Sequence, residues 1–110
     1  MKRVLLDHCV PRPFGRLLAG CTVSTAAEMG WAGMKNGELL DAAQAATFDV
    51  LITADQNLRY QQNLAARTIA IVELPTNRLR LVVDYASEIN SLLATIAPGT
   101  YHTIQLNPKS

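Results

Sequence analysis

The sequence predicts a single α/β domain over residues 1–110, built as a three-layer α/β/α sandwich around a central, mainly parallel sheet. Strand-like and helix-like segments alternate along the chain. The first, third and fourth strand-like runs are apolar throughout, which is typical of parallel strands covered on both faces. A length of 110 residues with 49% hydrophobic content supplies enough apolar surface for one core without a disulfide or metal to stabilise it.

Four elements are predicted in the first third of the chain. Apolar and β-branched runs predict strands, and two prolines bracket a turn that leads into a brief helix. Three glycines after the second strand limit the next helix to a short one followed by a loop. The predicted elements are a strand over 3–7, a helix over 13–20, a strand over 21–25, and a short helix with a loop over 26–37.

The middle of the chain contains the clearest helical pattern. Apolar residues at helical spacing predict a helix over 37–47, with Asn36 as its N-cap. A third apolar strand follows over 49–53, and Asp55 is then placed to cap a helix over 56–65. The apolar face of the helix over 37–47 is formed by Leu39, Leu40, Ala43, Ala46 and Thr47.

The last third of the chain repeats the alternation of strand and helix. Residues 68–74 predict a fourth buried strand. A long helix follows over 78–96, because apolar residues recur there at three- and four-residue spacing, and Pro98 with Gly99 ends it. Residues 101–106 alternate in polarity and predict a final strand at an edge of the sheet.

The bulk charge and the cysteines exclude several classes of protein. Ten basic and nine acidic residues give a net charge of +1, so any nucleic-acid surface would have to be local. No apolar run reaches the roughly 18 residues of a membrane span. Asp7 interrupts the apolar start too early for a signal peptide. Cys9 and Cys21 are too few for a disulfide framework, so we expect a cytoplasmic protein. Because no membrane span is predicted, we expect no membrane partner.

Two aspartates follow apolar strands and predict the position of the chemistry. Asp7 ends the first strand and Asp55 comes two residues after the third. Ligands of open parallel sheets bind beyond the carboxyl ends of the strands, where the strand order reverses. If the first and third strands are neighbours, the two carboxylates converge in that crevice.

Carboxylates that converge repel one another unless a cation lies between them. Mg²⁺ or Mn²⁺ is the expected cofactor, because Mg²⁺ prefers oxygen ligands and binds through one or two carboxylates with substrate phosphate. Glu38, in the first turn of its helix, is a third candidate acid, and Asn57 offers a neutral oxygen. A bound metal ion would activate a water molecule and neutralise charge on a phosphodiester.

Each of these residues also has a purely structural interpretation. Asp7 is suited to begin a turn, Asp55 to cap a helix, and Glu38 to complement a helix dipole. His8 is interpreted as a hydrogen-bonded structural histidine, and Cys9 as a small buried residue. Trp31 is interpreted as a core anchor, with a stacking surface for a base as the alternative.

Three segments together resemble a known family. They read LLDHCVPRPFGRLL, TAAEMGWAGMKNGELLDAA and FDVLITADQNLRYQQNL. They resemble the small bacterial PIN-like domains, formerly a family of unknown function and related to the toxin nucleases of toxin–antitoxin pairs. The likeness covers roughly residues 2–75. Its specific parts are the strand-end LLD and the later ITAD, with the GELL helix between them.

The resemblance implies a PIN-type fold and Mg²⁺- or Mn²⁺-dependent endonucleolytic cleavage of RNA. It matches Asp7 to the family's first-strand aspartate, Glu38 to its helix acid and Asp55 to its third-strand aspartate. Asp7 and Asp55 would then be direct metal ligands. Glu38 would be a ligand or would position the attacking water, and Asn57 would support the metal or a phosphate.

The chain departs from the family pattern at two positions. Asn57 stands where PIN nucleases usually have a fourth acid, and Asn36 stands where related short proteins often have one. Fewer negative charges weaken metal affinity, so the resemblance implies a slow, narrow or lost nuclease activity. It also implies a small antitoxin-like protein partner, and a homodimer is an open alternative for the assembly.

Four basic residues flank the same strand ends and are expected to hold RNA phosphates. Two of them, four residues apart, are expected to share one helix face. The four residues are Arg12, Arg16, Lys35 and Arg59.

Three functions therefore compete. The first is a PIN-like ribonuclease that acts as the toxin of a toxin–antitoxin pair. The second is a catalytically inert PIN-like module that binds a protein partner, which the missing fourth acid favours. The third is a metal-dependent phosphatase on a similar sheet, and the absence of a glycine loop that cradles phosphate counts against it.

Overall fold

The computed structural model of the protein describes residues 2–56, 58 and 67–105. The strands are β1 (Lys2–Leu6), β2 (Cys21–Thr25), β3 (Val50–Thr53), β4 (Ala70–Glu73) and β5 (Tyr101–Thr103). The α-helices in the described residues are α1 (Asn36–Ala45), α2 (Leu79–Val82) and α3 (Ala86–Thr95), with 3₁₀ helices at Arg12–Leu17 and Val83–Tyr85.

Within the described residues, five strands form one sheet in the order β2-β1-β3-β4-β5, and each of the four pairings is parallel. The predicted α/β class with a parallel sheet is therefore confirmed, and β5 lies at an edge as expected. Because β1 and β3 are neighbours, the strand order reverses between them. Their carboxyl ends are the place where such a sheet leaves room for a ligand.

Apolar residues of the central strands alternate between two buried clusters, which makes the fold three layers thick. Leu5, Leu51 and Ile71 face one cluster, which also contains the buried face of α1 and Leu58. Their strand neighbours face the other cluster, which contains apolar residues of α2, α3 and the first 3₁₀ helix. Both faces of the sheet are therefore covered, which explains why its strands are apolar throughout.

The two main crossover connections use opposite faces of the sheet. The chain passes from β2 to β3 along the face covered by α1, and from β4 to β5 along the face covered by α2 and α3. Both connections move in the same direction across the sheet. The two crossovers therefore have opposite hands, whereas nearly all parallel crossovers are right-handed.

The first half contains three differences from the expected elements. The brief helix expected over 13–20 is a 3₁₀ helix over Arg12–Leu17, and the Phe14 N–H donates to the carbonyl oxygen of Pro11, three residues earlier, at 3.0 Å. The short helix expected after β2 is only a turn: Thr25 and Glu28 exchange hydrogen bonds of 3.0 and 3.1 Å, and Gly30 at φ +79° then turns the chain away. Asn36 is the first residue of α1 and not its N-cap, which is Lys35.

Two further helix expectations are modified in the structure. The helix expected over 37–47 ends at Ala45, because Thr47 adopts a left-handed φ of +64°. The long helix expected over 78–96 tightens into 3₁₀ geometry at Val83–Tyr85, where β-branched and aromatic residues are weak helix formers. Apart from Gln56 and Leu58, the helix expected over 56–65 lies outside the described residues, as do Asn57 and Arg59.

No helix within the described ranges combines the length and apolar character that crossing a membrane requires.

The turn before β5 depends on Gly99 and predicts a specific loss of stability. Gly99 has a φ of +73°, and a Cβ added to it would lie 2.8 Å from the carbonyl oxygen of Arg67. Gly99→Ala should lower the free energy of unfolding by about 1–3 kcal/mol. Gly33 has open space around it, so Gly33→Ala should change that free energy by less than about 1 kcal/mol. Urea unfolding compares the two, and equal stabilities would contradict this turn geometry.

Candidate functional site

Asp7 is a buried carboxylate at the carboxyl end of β1. Its N–H donates to the carbonyl oxygen of Ile52 at 2.9 Å, so the pairing with β3 continues to this residue. Its side chain is only 2% exposed. Oδ2 accepts the hydroxyl of Thr53 at 2.8 Å, and Oδ1 accepts the N–H of His8 at 2.7 Å. The ring Nδ1 of His8 lies 2.9 Å from the same Oδ1.

The surroundings of Asp7 contain little compensating charge. Across residues 2–56, 58 and 67–105, Asp7 forms no ion pair with an arginine or lysine, and the His8 ring is the one basic side chain in contact with it. Buried charges in proteins are normally paired or bound to a metal ion. A carboxylate in this position is therefore suited to attract a cation.

Asp55 is anchored from two sides just beyond the end of β3. Its N–H donates to Oγ1 of Thr53 at 3.0 Å, which fixes its backbone relative to the last residue of the strand. Its Oδ2 accepts the side-chain amide of Asn36 at 2.7 Å. The start of α1 is thereby brought next to the end of β3, and a neutral amide contacts the carboxylate there.

Asp7 and Asp55 line one cleft of about 420 Å³ at the point where the strand order reverses. The structure therefore brings together the two aspartates that follow β1 and β3. The described residues that line the cleft are Asp7, His8, Cys9, Ala54, Asp55, Thr76 and Asn77.

A second cleft of about 460 Å³ lies on the β2 side of Asp7. Asp7 and His8 line both clefts, so they stand where the two meet. Arg12 and Glu28 also line the second cleft, and their side chains approach to 3.6 Å. Hydrogen bonds from Thr25 hold the pKa of Glu28 below its usual value, with a smaller contribution from the Arg12 charge.

Glu38 is not one of the described residues that line the Asp7–Asp55 cleft. Its Oε1 accepts the N–H of Lys35 at 3.3 Å, which satisfies a free donor at the start of α1. In the part of the chain that the structure describes, no three Asp, Glu, His or Cys side chains are grouped closely enough to hold a metal ion. Two of the three candidate acids therefore line one cleft, and the third lies in the first turn of α1, two residues after the Asn36 that contacts Asp55.

The basic residues are distributed unevenly around the clefts. Arg12 borders the second cleft with its side chain 77% exposed. Lys35 is exposed at the start of α1, next to the Asn36 that contacts Asp55. Arg16 lies in the same 3₁₀ helix as Arg12. With about three residues per turn, positions four apart point in different directions, so the expected shared helix face is wrong.

Three further side chains have a defined structural setting. The Nδ1 contact to Asp7 agrees with a hydrogen-bonded His8, but its side chain is 56% exposed at the cleft. Burial raises the pKa of the Cys9 thiol, opposed by the Ala54 N–H hydrogen bond. Trp31 is half-buried and meets Phe48 edge to face, with ring centroids 6.1 Å apart, which agrees with the interpretation as a core anchor.

Two buried polar residues were missed by the sequence reasoning. Thr53 is completely buried and Glu73 is 4% exposed. They pair across β3 and β4 as the last residue of each strand, and the hydroxyl of Tyr101 donates to Glu73. The available signal was a polar residue at the end of an otherwise aliphatic run, in ITAD and again in IVEL.

The oxygen donors of the cleft fit a hard divalent cation. Mg²⁺ is commonly held by one or two carboxylates, with water and phosphate completing its coordination. Asp7 and Asp55 provide two carboxylates at one cleft, and Asp7 lacks an arginine or lysine partner among the described residues. The donor chemistry of the two residues therefore fits Mg²⁺ or Mn²⁺.

Fold and site together define an open, doubly wound α/β sheet with an acidic cleft at its switch point. No family model matches the chain, and neither a curated protein nor a solved structure matches it. The resemblance to PIN-like domains therefore rests on the LLD, GELL and ITAD segments.

The contact between Asn36 and Asp55 predicts an electrostatic effect. In metal-free protein, Asn36→Asp should lower the free energy of unfolding by about 1–3 kcal/mol, since it replaces a donor to a carboxylate with a like charge. Asn36→Ala removes the hydrogen bond to Asp55 without adding a charge and should cost about 0.5–1.5 kcal/mol. Urea unfolding in EDTA at low and high salt measures both. An Asn36→Asp variant as stable as the wild type would show that this contact is not formed in solution.

Proposed function

We propose that the protein is a metal-dependent endoribonuclease of PIN-like type, acting as the toxin component of a bacterial toxin–antitoxin pair. The observation that carries the proposal is the pair of carboxylates of Asp7 and Asp55, which line one cleft at the β1/β3 switch point. The burial of Asp7, which is only 2% exposed, supports it further, because buried carboxylates in proteins are normally paired or bound to a metal ion.

The side chains have distinct proposed tasks. Asp7 and Asp55 would hold a Mg²⁺ or Mn²⁺ ion, with Asn57 as a neutral supporting ligand. When bound, such an ion supplies an activated water and neutralises charge that develops on a phosphodiester. Glu38, at the start of α1, would complete the ligand set or orient the attacking water from the side of the helix.

The proposed substrate is unpaired RNA. A surface cleft can admit an exposed backbone, whereas an A-form duplex buries its base edges and resists bending. Arg12 borders the cleft on the β2 side, and Lys35 lies beside the Asn36–Asp55 contact, so cations would flank the acids from two directions. With Arg16 and Arg59 as the remaining expected contacts and a net charge of +1, binding would be weak and sensitive to salt.

The proposed setting follows from the resemblance. We expect a cytoplasmic protein whose activity is controlled by a small antitoxin-like protein, and a homodimer is an alternative assembly. The resemblance to the PIN-like family is the support for each of these expectations.

A second candidate is an inert PIN-like module that binds a protein partner. Two observations favour it. No group of three metal-ligating side chains occurs within the described ranges, and the Glu38 carboxylate already accepts a hydrogen bond at the start of its own helix. A module of this kind would keep the cleft and bind no divalent ion in it.

We expect the protein to cleave unstructured RNA in Mn²⁺ or Mg²⁺ and to lose this activity in EDTA. Asp7→Asn should lower the rate about a hundredfold or more, because it removes a charged ligand of the ion that activates the water and neutralises the phosphodiester. Asp84 is exposed on the 3₁₀ helix before α3, so Asp84→Asn is the matched control and should retain the rate. Gel assays at low salt on an unstructured RNA and a hairpin provide the measurement.

Each outcome of that assay has one interpretation. Equal cleavage by the wild type and Asp7→Asn would identify a contaminating nuclease. Mn²⁺ binding without RNA cleavage, but with hydrolysis of a small phosphate ester, would favour the phosphatase. Cleavage of the hairpin stem at the same rate as unstructured RNA would contradict the preference for unpaired substrate.

Metal binding separates the nuclease from the inert module. Calorimetric titration should show Mn²⁺ binding to the wild type, with at least a tenfold weaker affinity in Asp55→Asn. The metal-free melting temperature of Asp55→Asn should be equal or higher, since an amide oxygen can still accept the Asn36 hydrogen bond while a negative charge is removed. No binding to the wild type would favour the inert module, and a large loss of metal-free stability would identify Asp55 as chiefly structural.

A further inference from the structure

Thr53 occupies the centre of a polar row at the carboxyl end of the sheet. It is the last residue of β3, is fully buried, and pairs with Glu73 of β4 on one side. On its other side lies Asp7, one residue beyond the paired positions Leu6 and Ile52. The three preceding residues of β3 are aliphatic and buried. Thr53 therefore places a hydroxyl at a buried position where another apolar side chain would be expected.

The hydroxyl of Thr53 is hydrogen-bonded to both aspartates of the cleft. An ionised carboxylate only accepts hydrogen bonds, so the hydroxyl proton goes to Oδ2 of Asp7, at 2.8 Å. A lone pair of the same oxygen accepts the N–H of Asp55, at 3.0 Å. The single proton of Thr53 is therefore committed to one acid, and its oxygen fixes the backbone of the other.

This bonding pattern differs from a simple helix cap or turn. A threonine that served only the turn would need the Asp55 N–H and no buried carboxylate. A threonine that served only the core would be replaced well by valine, which has the same shape. Thr53 contacts both acids at once, and a change in its hydroxyl would alter their relative positions.

We propose that Thr53 is a positioning residue that sets the spacing of the Asp7 and Asp55 carboxylates for a divalent cation. The inference rests on the proposed function, since it assigns Thr53 a task in the same site. Residues that orient metal ligands through hydrogen bonds typically change metal affinity about 10–100-fold when they are removed. A variant that lacks the orienting residue still contains both ligands, so its lower metal affinity reflects their altered geometry.

The test compares Mn²⁺ affinity among variants of the full chain by calorimetry, with metal-free melting curves as a check of folding. Thr53→Val keeps the shape and removes the hydroxyl, and should weaken Mn²⁺ binding about tenfold or more. Thr53→Ser keeps the hydroxyl and should bind within about threefold of the wild type, well inside the range that loss of an orienting group produces. Thr22→Val, at an exposed site on β2, is the matched control and should bind as the wild type does.

The outcomes separate this inference from the function on which it rests. If the wild type binds no Mn²⁺, the proposed function and this inference both fail. If the wild type and Thr53→Val bind equally, the positioning role alone is overturned. If Thr53→Ser is as weak as Thr53→Val, the loss reflects packing and the role is again overturned. Should Thr53→Val not fold, Thr53→Ser and Thr53→Ala differ only by the hydroxyl and make the same comparison.

Discussion

The parallel pairing of β1 with β3 is the constraint on which the rest of the structure depends. It aligns Leu6 with Ile52 and continues through the 2.9 Å bond from the Asp7 N–H to the Ile52 carbonyl oxygen. A shift of one residue in this register would turn alternate side chains to the wrong face, removing both core clusters at once. It would also separate Asp7 from Thr53. The same pairing therefore sets the buried layers and the geometry of the cleft.

The sheet could be predicted from the sequence because its signals are local and redundant. Runs such as VLL and AIV must be buried on both faces, and the helices between them then imply parallel strands. The helix details were less predictable. The 3₁₀ helix after Pro11 and the end of α1 at Ala45 depend on single residues whose conformations are set by neighbouring elements. Lys35 occupies the N-cap position that Asn36 was expected to fill, because the Asn36 side chain bonds to Asp55 across the fold.

The acids of the cleft were predictable, whereas the residues that hold them were not. Asp7 and Asp55 follow apolar strands, and strand ends are where such folds place ligands. Thr53 and Glu73 carry a weaker signal, a polar residue that ends an aliphatic run, because the role of a buried polar residue is clear only when its partners are known. The Thr53 partners are 46 residues away and two residues away along the chain. The periodicity of apolar residues in the sequence cannot predict that combination of long-range and local hydrogen bonds.

The opposite hands of the two main crossovers affect which apolar surface is exposed during synthesis, because the last crossover covers the opposite face of the sheet. Once residues up to 74 have been synthesised, β1 to β4 and the acids of the cleft are all present. The face that α2 and α3 later cover is then covered only in part, by the first 3₁₀ helix, and it exposes apolar residues such as Ile52 and Val72. The nascent chain would therefore expose an aggregation-prone apolar surface until the last third of the chain is synthesised and α2 and α3 pack on this face of the sheet. Completion of the protein on the ribosome, rather than formation of the cleft, would then be the step most exposed to aggregation.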